Sequence, residues 1–393
     1  MVGMHTSTMN MKVTRKLGVS CMAALTLWII GASFWVLVFQ VVVTWRFGQN
    51  RGHYSYNSSL ANMTRSASTV EQHISTSLGS VVLSKIKEIK MYLNDPTLSN
   101  EALLPVNRIG RYILLNANLC RSVPRLDFII VVHTALPNFK QRLRIRASFA
   151  NSSLFYPIQI RVVFLLGRTN WTDLTSKLWL EHHKFKDTVM GDFIDDYHNL
   201  SIKGVMGYRW LKDYCPNADF VLKIDDDVLI NMFRLIHWFL PQMKEKKRSI
   251  FCNCNYKNTM LIERAGKWKV DSHIFPRRRT FPYHYCSGFT VIMTSDLIDS
   301  LYKAAKLTPY FWIDDFYLYG MLPFVAGNVT YHYLGLNRNM SLKYSSALYC
   351  TVARGVWCPV FSTLISDDKY WYYWQLIKDL YITPNVTKLL TLS

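Results

Sequence analysis

Acidic residues are scarce in this 393-residue chain: 26 Asp and Glu stand against 46 Lys and Arg, a formal net charge of +20. A surplus of that size is one signature of a nucleic-acid binder. Here the basic residues are scattered and the densest cluster, Arg277, Arg278 and Arg279, is short. That argues against nucleic acid and for a solvated face, or for a surface turned toward anionic nucleotide donors or lipid headgroups. Internal repeats and long low-complexity segments are absent, which sets aside repeat arrays and compositionally biased tails. Cys252-x-Cys254 has no matching CxxC or histidine pair, so zinc is the weaker reading there. Charge is missing altogether from Leu17 to Trp45.

That uncharged stretch is rich in Leu, Val, Ile, Trp and Phe. It exceeds the roughly 20 apolar residues that cross a bilayer. Lys12, Arg15 and Lys16 precede it, and Arg46 and Arg51 follow. A cleaved signal peptide has a shorter apolar core. The expected organisation is a cytosolic tail (1–16), a transmembrane signal anchor (17–45), a lumenal stem (46–123) and a lumenal main domain (124–393). Asn-x-Ser/Thr sequons at Asn57, Asn62, Asn151, Asn170, Asn199, Asn328, Asn339 and Asn385 all follow the anchor. So do seven of the eight cysteines, Cys21 lying within it. An oxidising lumen permits disulfides among the seven, and an odd number leaves at least one thiol free or paired between chains. Val, Leu and Ile fall at helical spacing from Val70 to Tyr92, a helix to pack on the main domain or on a second copy in a homodimer.

From Leu126 the pattern changes. Leu126–His133 reads as a buried strand, the run ending at Gly167 as a second and Phe220–Ile224 as a third. Helical segments fall near 140–149, 174–183 and 202–214. Alternating strands and helices predict an α/β domain with a mostly parallel sheet and ligands at the carboxyl ends of its strands. The third strand runs into Asp225, Asp226 and Asp227. Three like charges repel one another. A hard divalent cation clamping a diphosphate would offset them, and the alternative is a solvated acidic turn.

These segments line up with a known family. Arg142-Leu143-Arg144-Ile145-Arg146-Ala147-Ser148-Phe149 resembles an opening motif that ends Ile-Arg-x-Thr-Trp. Asp192-Phe193-x-Asp195-Asp196-Tyr197-x-Asn199-Leu200-Ser201-x-Lys203, followed by Trp210 and Cys215, is similar to a longer and more specific one. Lys223-x-Asp225-Asp226-Asp227, Tyr285-Cys286-Ser287-Gly288 and Ile313-Asp314-Asp315-Phe316-Tyr317 follow in the same order. Together they resemble the β-1,3-galactosyltransferase family, which includes β-1,3-N-acetylglucosaminyltransferases, over roughly residues 126–330. There are departures. Pro282 is shifted, Thr290 and Val291 stand where a glycine and an aromatic are usual, and Tyr319 is inserted before Gly320. The place of a C-terminal metal-binding histidine holds Phe361, with His332 the fallback.

The resemblance implies a GT-A-like, Rossmann-type glycosyltransferase domain behind the anchor and stem, in the Golgi membrane. It implies UDP-sugar as donor, a glycan on protein or lipid as acceptor, and transfer of galactose or an N-acetylhexosamine in β-1,3 linkage with inversion. Mn²⁺ is the implied ion, with Asp227 the chief ligand and Asp225 turned to the ribose or to metal-bound water. Asp315 is the implied general base, Asp314 beside it an electrostatic neighbour or substrate contact. An alternative for the acid pair is simple stabilisation of a helix N-terminus. Asp226 in the metal motif and Gly288 are implied donor-binding residues, although Tyr285–Gly288 itself resembles the family's acceptor-side loop. Arg142 and Arg146 are candidates for the nucleotide pocket and Lys203 for the diphosphate, against a reading in which they only solvate surfaces. A cysteine beside Ser287 suggests a nucleophile, but no motif supplies a histidine, so Cys286 reads as a half-cystine. The competing function is a catalytically degenerate lumenal chaperone or lectin on the same fold. A nucleotide-sugar hydrolase is the third.

Overall fold

The structure is a computed structural model that describes residues 79–94, 104–336 and 338–382. The expected anchor (17–45) and the first part of the stem lie outside the described residues. Among the described residues no helix is long and apolar enough to cross a membrane.

Eight strands form one twisted sheet in the order β1-β4-β3-β2-β5-β8-β7-β9. They are β1 (Tyr112–Leu114), β2 (Leu126–His133), β3 (Ile160–Arg168), β4 (Thr188–Ile194), β5 (Ala218–Asp225), β7 (Ser249–Asn255), β8 (Tyr285–Thr294) and β9 (Thr330–Tyr333). The β4-β3-β2-β5 centre is parallel, while β8 runs antiparallel to both β5 and β7. Side chains alternate between two cores, as a period of two requires. On β2, Ile129 and Val131 enter one core, and Phe128, Ile130 and Val132 the other.

Helices cover both faces. Helix α1 (79–93), α4 (Leu200–Tyr214), α6 (Ile298–Ala305) and α7 (314–326) pack on the first core. Helix α2 (Phe139–Ala147), α5 (232–243) and α9 (Asp367–Ile382) pack on the second. Helix α3 (Thr172–Phe185) covers β3 and β4 through Leu178. A small sheet of β6 (Val228–Ile230), β10 (Met340–Ser341) and β11 (Ser362–Leu364) continues from the tip of β5. Helix α8 (Tyr344–Arg354) is tethered by the Cys350–Cys358 disulfide.

Two expectations are corrected. Packing does not begin at residue 124. Ile86, Ile89 and Leu93 of α1 are buried in the first core, and β1 is the edge strand of the main sheet. The later part of the expected stem is therefore part of the domain. The motif at Tyr285–Gly288, read as a loop, is the start of β8, held to β7 by the Cys252–Cys286 disulfide. Cys120 pairs with Cys215, and Cys254 is a buried free thiol whose pKa burial raises to about 11.

Topology fixes where a ligand would sit. After β2 the chain moves outward to β3 and β4, then returns to place β5 on the other side of β2. That reversal opens a crevice at the carboxyl ends of β2 and β5, the place where open α/β sheets bind ligands.

Candidate active site

Asp225 is the last residue of β5, in register with His133, the last of β2. Asp226 and Asp227 turn the chain into β6. The turn is fastened from two sides: Ile365 N–H donates to the Asp227 carbonyl (2.8 Å), and Arg144 Nη2 to the Asp226 carbonyl (2.8 Å). Within it the three carboxylates differ. Asp226 accepts from Thr134 Oγ1 (2.5 Å) and Asn138 Nδ2 (2.9 Å), so it anchors the loop leading into α2. Both bonds fall on one oxygen, Oδ2, which ties that side of the carboxylate to the protein. Asp225 pairs with Lys223 Nζ (2.7 Å). Asp227 lies at the accessible lip. Its carboxyl still sits low enough that burial, then the charges of Asp225 and Asp226, raise its pKa.

This donor set fits a hard cation. It is all oxygen, and a positive charge there would relieve the repulsion that raises Asp227. Among the described residues no group of three or more His, Cys, Asp or Glu could by itself hold a metal. A cation at Asp225 and Asp227 would therefore need further oxygens from a ligand. Neither expected histidine position supplies one. Phe361 is buried against Phe239, and His332 stacks on Phe251 and bonds Ser249 at the opposite end of β7.

Asp314 and Asp315 form the first turn of α7, and backbone N–H groups of Asp314 and Asp315 face the Asp314 carboxylate. The helix-terminus reading is thus correct, and it coexists with a site. Asp315 lies against Gly288 of β8, whose N–H hydrogen-bonds it. A Cβ added at Gly288 would stand 1.9 Å from Asp315 Oδ1, so the absence of a side chain there is what admits the carboxylate. Lys223 Nζ donates to the Gly288 carbonyl (2.6 Å) as well as to Asp225. One buried lysine therefore joins the tip of β5, the start of β8 and the acid pair.

The electrostatics follow from that packing. Burial, then the charge of Asp314, pushes Asp315 up to about 8, against the opposing pull of Lys223 and the Gly288 N–H. Burial also raises Asp314, with Lys223 opposing. Burial alone would lower Lys223, but Asp225, Asp314 and Asp315 overcome it and hold the ammonium charged. The role of Lys223 was not read from the sequence. The signal was present: a lysine inside an apolar strand run needs buried partners.

The basic candidates are corrected. Arg142 is fully buried, and its guanidinium is taken up by Glu181, Thr134 Oγ1 and the carbonyls of Ala135 and Leu136. Arg146 pairs with Glu181 and Asp187 and stacks on Phe164 and Phe185. Lys203 is buried on Asp195 (2.9 Å) and the Thr134 carbonyl (2.8 Å). All three brace the crevice from behind. Arg144 is the arginine that reaches the Asp226–Asp227 turn. Cys286 is a half-cystine, as expected.

Tyr197 is exposed beside the site. Its ring contacts Trp312, two residues before Asp314, and its hydroxyl accepts from Trp268 Nε1 (2.9 Å). The inserted Tyr319 is absorbed by a π-helical turn over Tyr317–Met321, directly after the acid pair. Single π turns are how a helix takes in one extra residue, and they recur at functional sites.

Residues 140–329 match the model of the family described as Galactosyltransferase. β-1,3-Galactosyltransferase 1 of Homo sapiens and that of Mus musculus are each 30% identical over 224 residues, covering 56% of this chain and 68% of the relative. β-1,3-Galactosyltransferase 5 of Homo sapiens is 28% identical over 210 residues, covering 53% and 66%. Among solved structures, a galactosyltransferase crystallised with donor and acceptor sugar analogues covers 66% of this chain and 99% of its own, with a TM-score of 0.32 and 12% identity. At that score the structural likeness carries no weight.

Proposed function

This chain belongs to the galactosyltransferase family and is a glycosyltransferase; from that premise we propose that it moves galactose or an N-acetylhexosamine from a UDP-sugar to a glycan hydroxyl in β-1,3 linkage, with inversion and a divalent cation. The observation that carries this is the meeting of Asp315, Gly288 and Lys223 beside Asp225 at the crevice between β2 and β5. The sheet order supports a GT-A-like, Rossmann-type domain.

The acceptor hydroxyl is a weak nucleophile and must lose its proton. Asp315 is the base: its raised pKa brings proton affinity near working pH, where general-base catalysis is most effective. The acceptor oxygen then bonds to the anomeric carbon as the carbon–oxygen bond to the diphosphate breaks on the opposite face, and UDP departs. Asp314 raises the basicity of its neighbour, and Lys223 keeps the pair from becoming inert acids. Asp227 and Asp225 would hold Mn²⁺, whose positive charge offsets charge developing on the leaving diphosphate. Both acidic motifs are intact and brought together, which favours this reading over a degenerate chaperone or lectin.

A type II anchor at 17–45 and a Golgi lumenal domain belong to the same proposal. Three disulfides among the described residues and the exposed sequons at Asn170 and Asn328 support it. The test is Asp315→Asn. UDP binding measured by calorimetry should persist while transfer falls by about 10²–10⁴-fold. Undiminished transfer would remove Asp315 from the mechanism.

A further inference from the structure

The loop of residues 256–284 joins the carboxyl end of β7 to the start of β8, so it lies at the same end of the sheet as the acid pair. It holds a cavity of about 560 Å³ whose lining includes Arg264, Lys269, Arg277, Arg278 and Arg279, with Asp271 the one carboxylate. These cations divide into two kinds. Arg264 donates to the carbonyls of Val270, Asp271, Ile274 and Phe275, and Arg278 to Asn258 Oδ1 and the Tyr92 hydroxyl. Those two arginines set the shape of the loop. Lys269, Arg277 and Arg279 are exposed, and among the described residues their side chains make no hydrogen bond or ion pair. Three cations face one cavity with a single carboxylate to offset them, an arrangement that favours an anion.

The same loop touches the acid pair's flank. Trp268 donates to Tyr197, Lys267 sits over the Tyr197 ring (4.6 Å), and that ring contacts Trp312. Trp268 is 48% exposed and Tyr197 41%, so apolar ring surface lies open between the acid pair and the basic cavity. Flat aromatic faces with a polar edge suit the amphipathic faces of a sugar. A glycan with its reacting hydroxyl at Asp315 would run over these rings toward the cations.

We propose that the loop is an acceptor subsite and that its cavity, through Lys269, Arg277 and Arg279, takes an anionic group of the acceptor glycan, a carboxylate or a sulfate. The proposal rests on the transferase reading, naming the acceptor class of that site. Arginine and lysine bind such oxyanions through charge-assisted hydrogen bonds.

Binding and transfer test it separately. The lumenal protein from residue 76 onward, and its Lys269→Gln/Arg277→Gln/Arg279→Gln variant, are titrated with 6-sulfo-N-acetyllactosamine and sialyllactose. Their uncharged parents, N-acetyllactosamine and lactose, serve as the reference. The three side chains hold no other element, so the variant should melt with the parent protein. The charged sugars should bind about tenfold or more tighter than their parents, a margin lost in the variant and eroded by salt. Equal binding of charged and neutral sugars, or an unchanged margin in the variant, overturns the proposal. So does binding of phosphatidylserine vesicles with no preference among the sugars, which would make the loop a lipid contact. Donor turnover on the same samples judges the transferase reading alone: protein that prefers charged sugars yet never turns over a UDP-sugar keeps the subsite and loses the reaction.

Discussion

Asp315 illustrates how a side chain that is costly to the fold can be the one a proposed reaction calls on. Its folded pKa, about 8, lies above the ordinary carboxylate value of 3.8. A raised carboxylate pKa means that the folded state holds its proton more tightly than the unfolded state. Stability from this group is therefore full at low pH and is lost as pH rises from the unfolded value through about 8. Asp315→Asn removes the ionisation with little change of shape. We predict a higher melting temperature for that variant at pH 8 to 9 in metal-free buffer, together with loss of transfer. A lower melting temperature would show that the buried carboxylate stabilises the fold and would contradict this reading.

Asp314 gives the matching kinetic prediction. Its charge is the second cause of the rise in Asp315. Asp314→Asn should shift the acidic limb of the pH–rate profile to lower pH, and Lys223→Met should shift it to higher pH. An unmoved limb in both would place the titrating group elsewhere. Gly288→Ala is the steric counterpart. Its new Cβ, 1.9 Å from the Asp315 oxygen, must displace the carboxylate. Transfer should fall by about 10²-fold while the protein stays folded, since misplacement of a reacting group by about 1 Å has that effect.

At this scale the acids were legible in the sequence because they are adjacent in it and end apolar runs. Lys223 and Gly288 had no role until β5, β8 and α7 were brought together, contacts that span 65 residues from Lys223 to Gly288. Arg142 and Arg146 were misread for the same reason. Their partner Glu181 lies 39 and 35 residues away, and no local pattern announces it.

Elements differ in how openly they declare themselves. β2 was readable because every residue from Phe128 to His133 is buried, giving an unbroken apolar run. β4 carries Gly191 and Asp192 near its end and β8 begins with Tyr-Cys-Ser-Gly, so neither shows a clean run or alternation. The Arg142–Glu181–Arg146 cluster is an element-scale brace, pinning α2 to α3 behind the crevice. Burial would raise Glu181, but the two guanidinium groups outweigh it and lower its pKa. Removing one partner leaves a buried charge without compensation. Arg142→Met should therefore destabilise the fold by about 3–5 kcal/mol, read by denaturant unfolding. A change under about 1 kcal/mol would show that the brace contributes little.

For the whole molecule, the boundary of the folded domain was the feature least available from sequence. The polar stretch after the apolar run hides the point where α1 begins to bury Ile86, Ile89 and Leu93. Burying each such side chain contributes roughly 1.5–3 kcal/mol. Lys85 and Glu88 add polar contacts to Phe324 and Tyr283. A fragment beginning at residue 76 should fold and melt cooperatively, and one beginning at 124, which also lacks β1 and Cys120, should not. Equal melting of the two would make α1 an ornament.

The central claim is that the crevice transfers a sugar from a UDP-sugar with help from a divalent cation. The most direct measurement is UDP release by the fragment from residue 76, across a panel of UDP-sugars, with and without Mn²⁺ and a mixed glycan acceptor pool, beside Asp227→Ala and Asp315→Ala. Release from one donor that requires both metal and acceptor and disappears in both variants is the predicted result. Release that ignores the acceptor, or that survives either substitution, would contradict it.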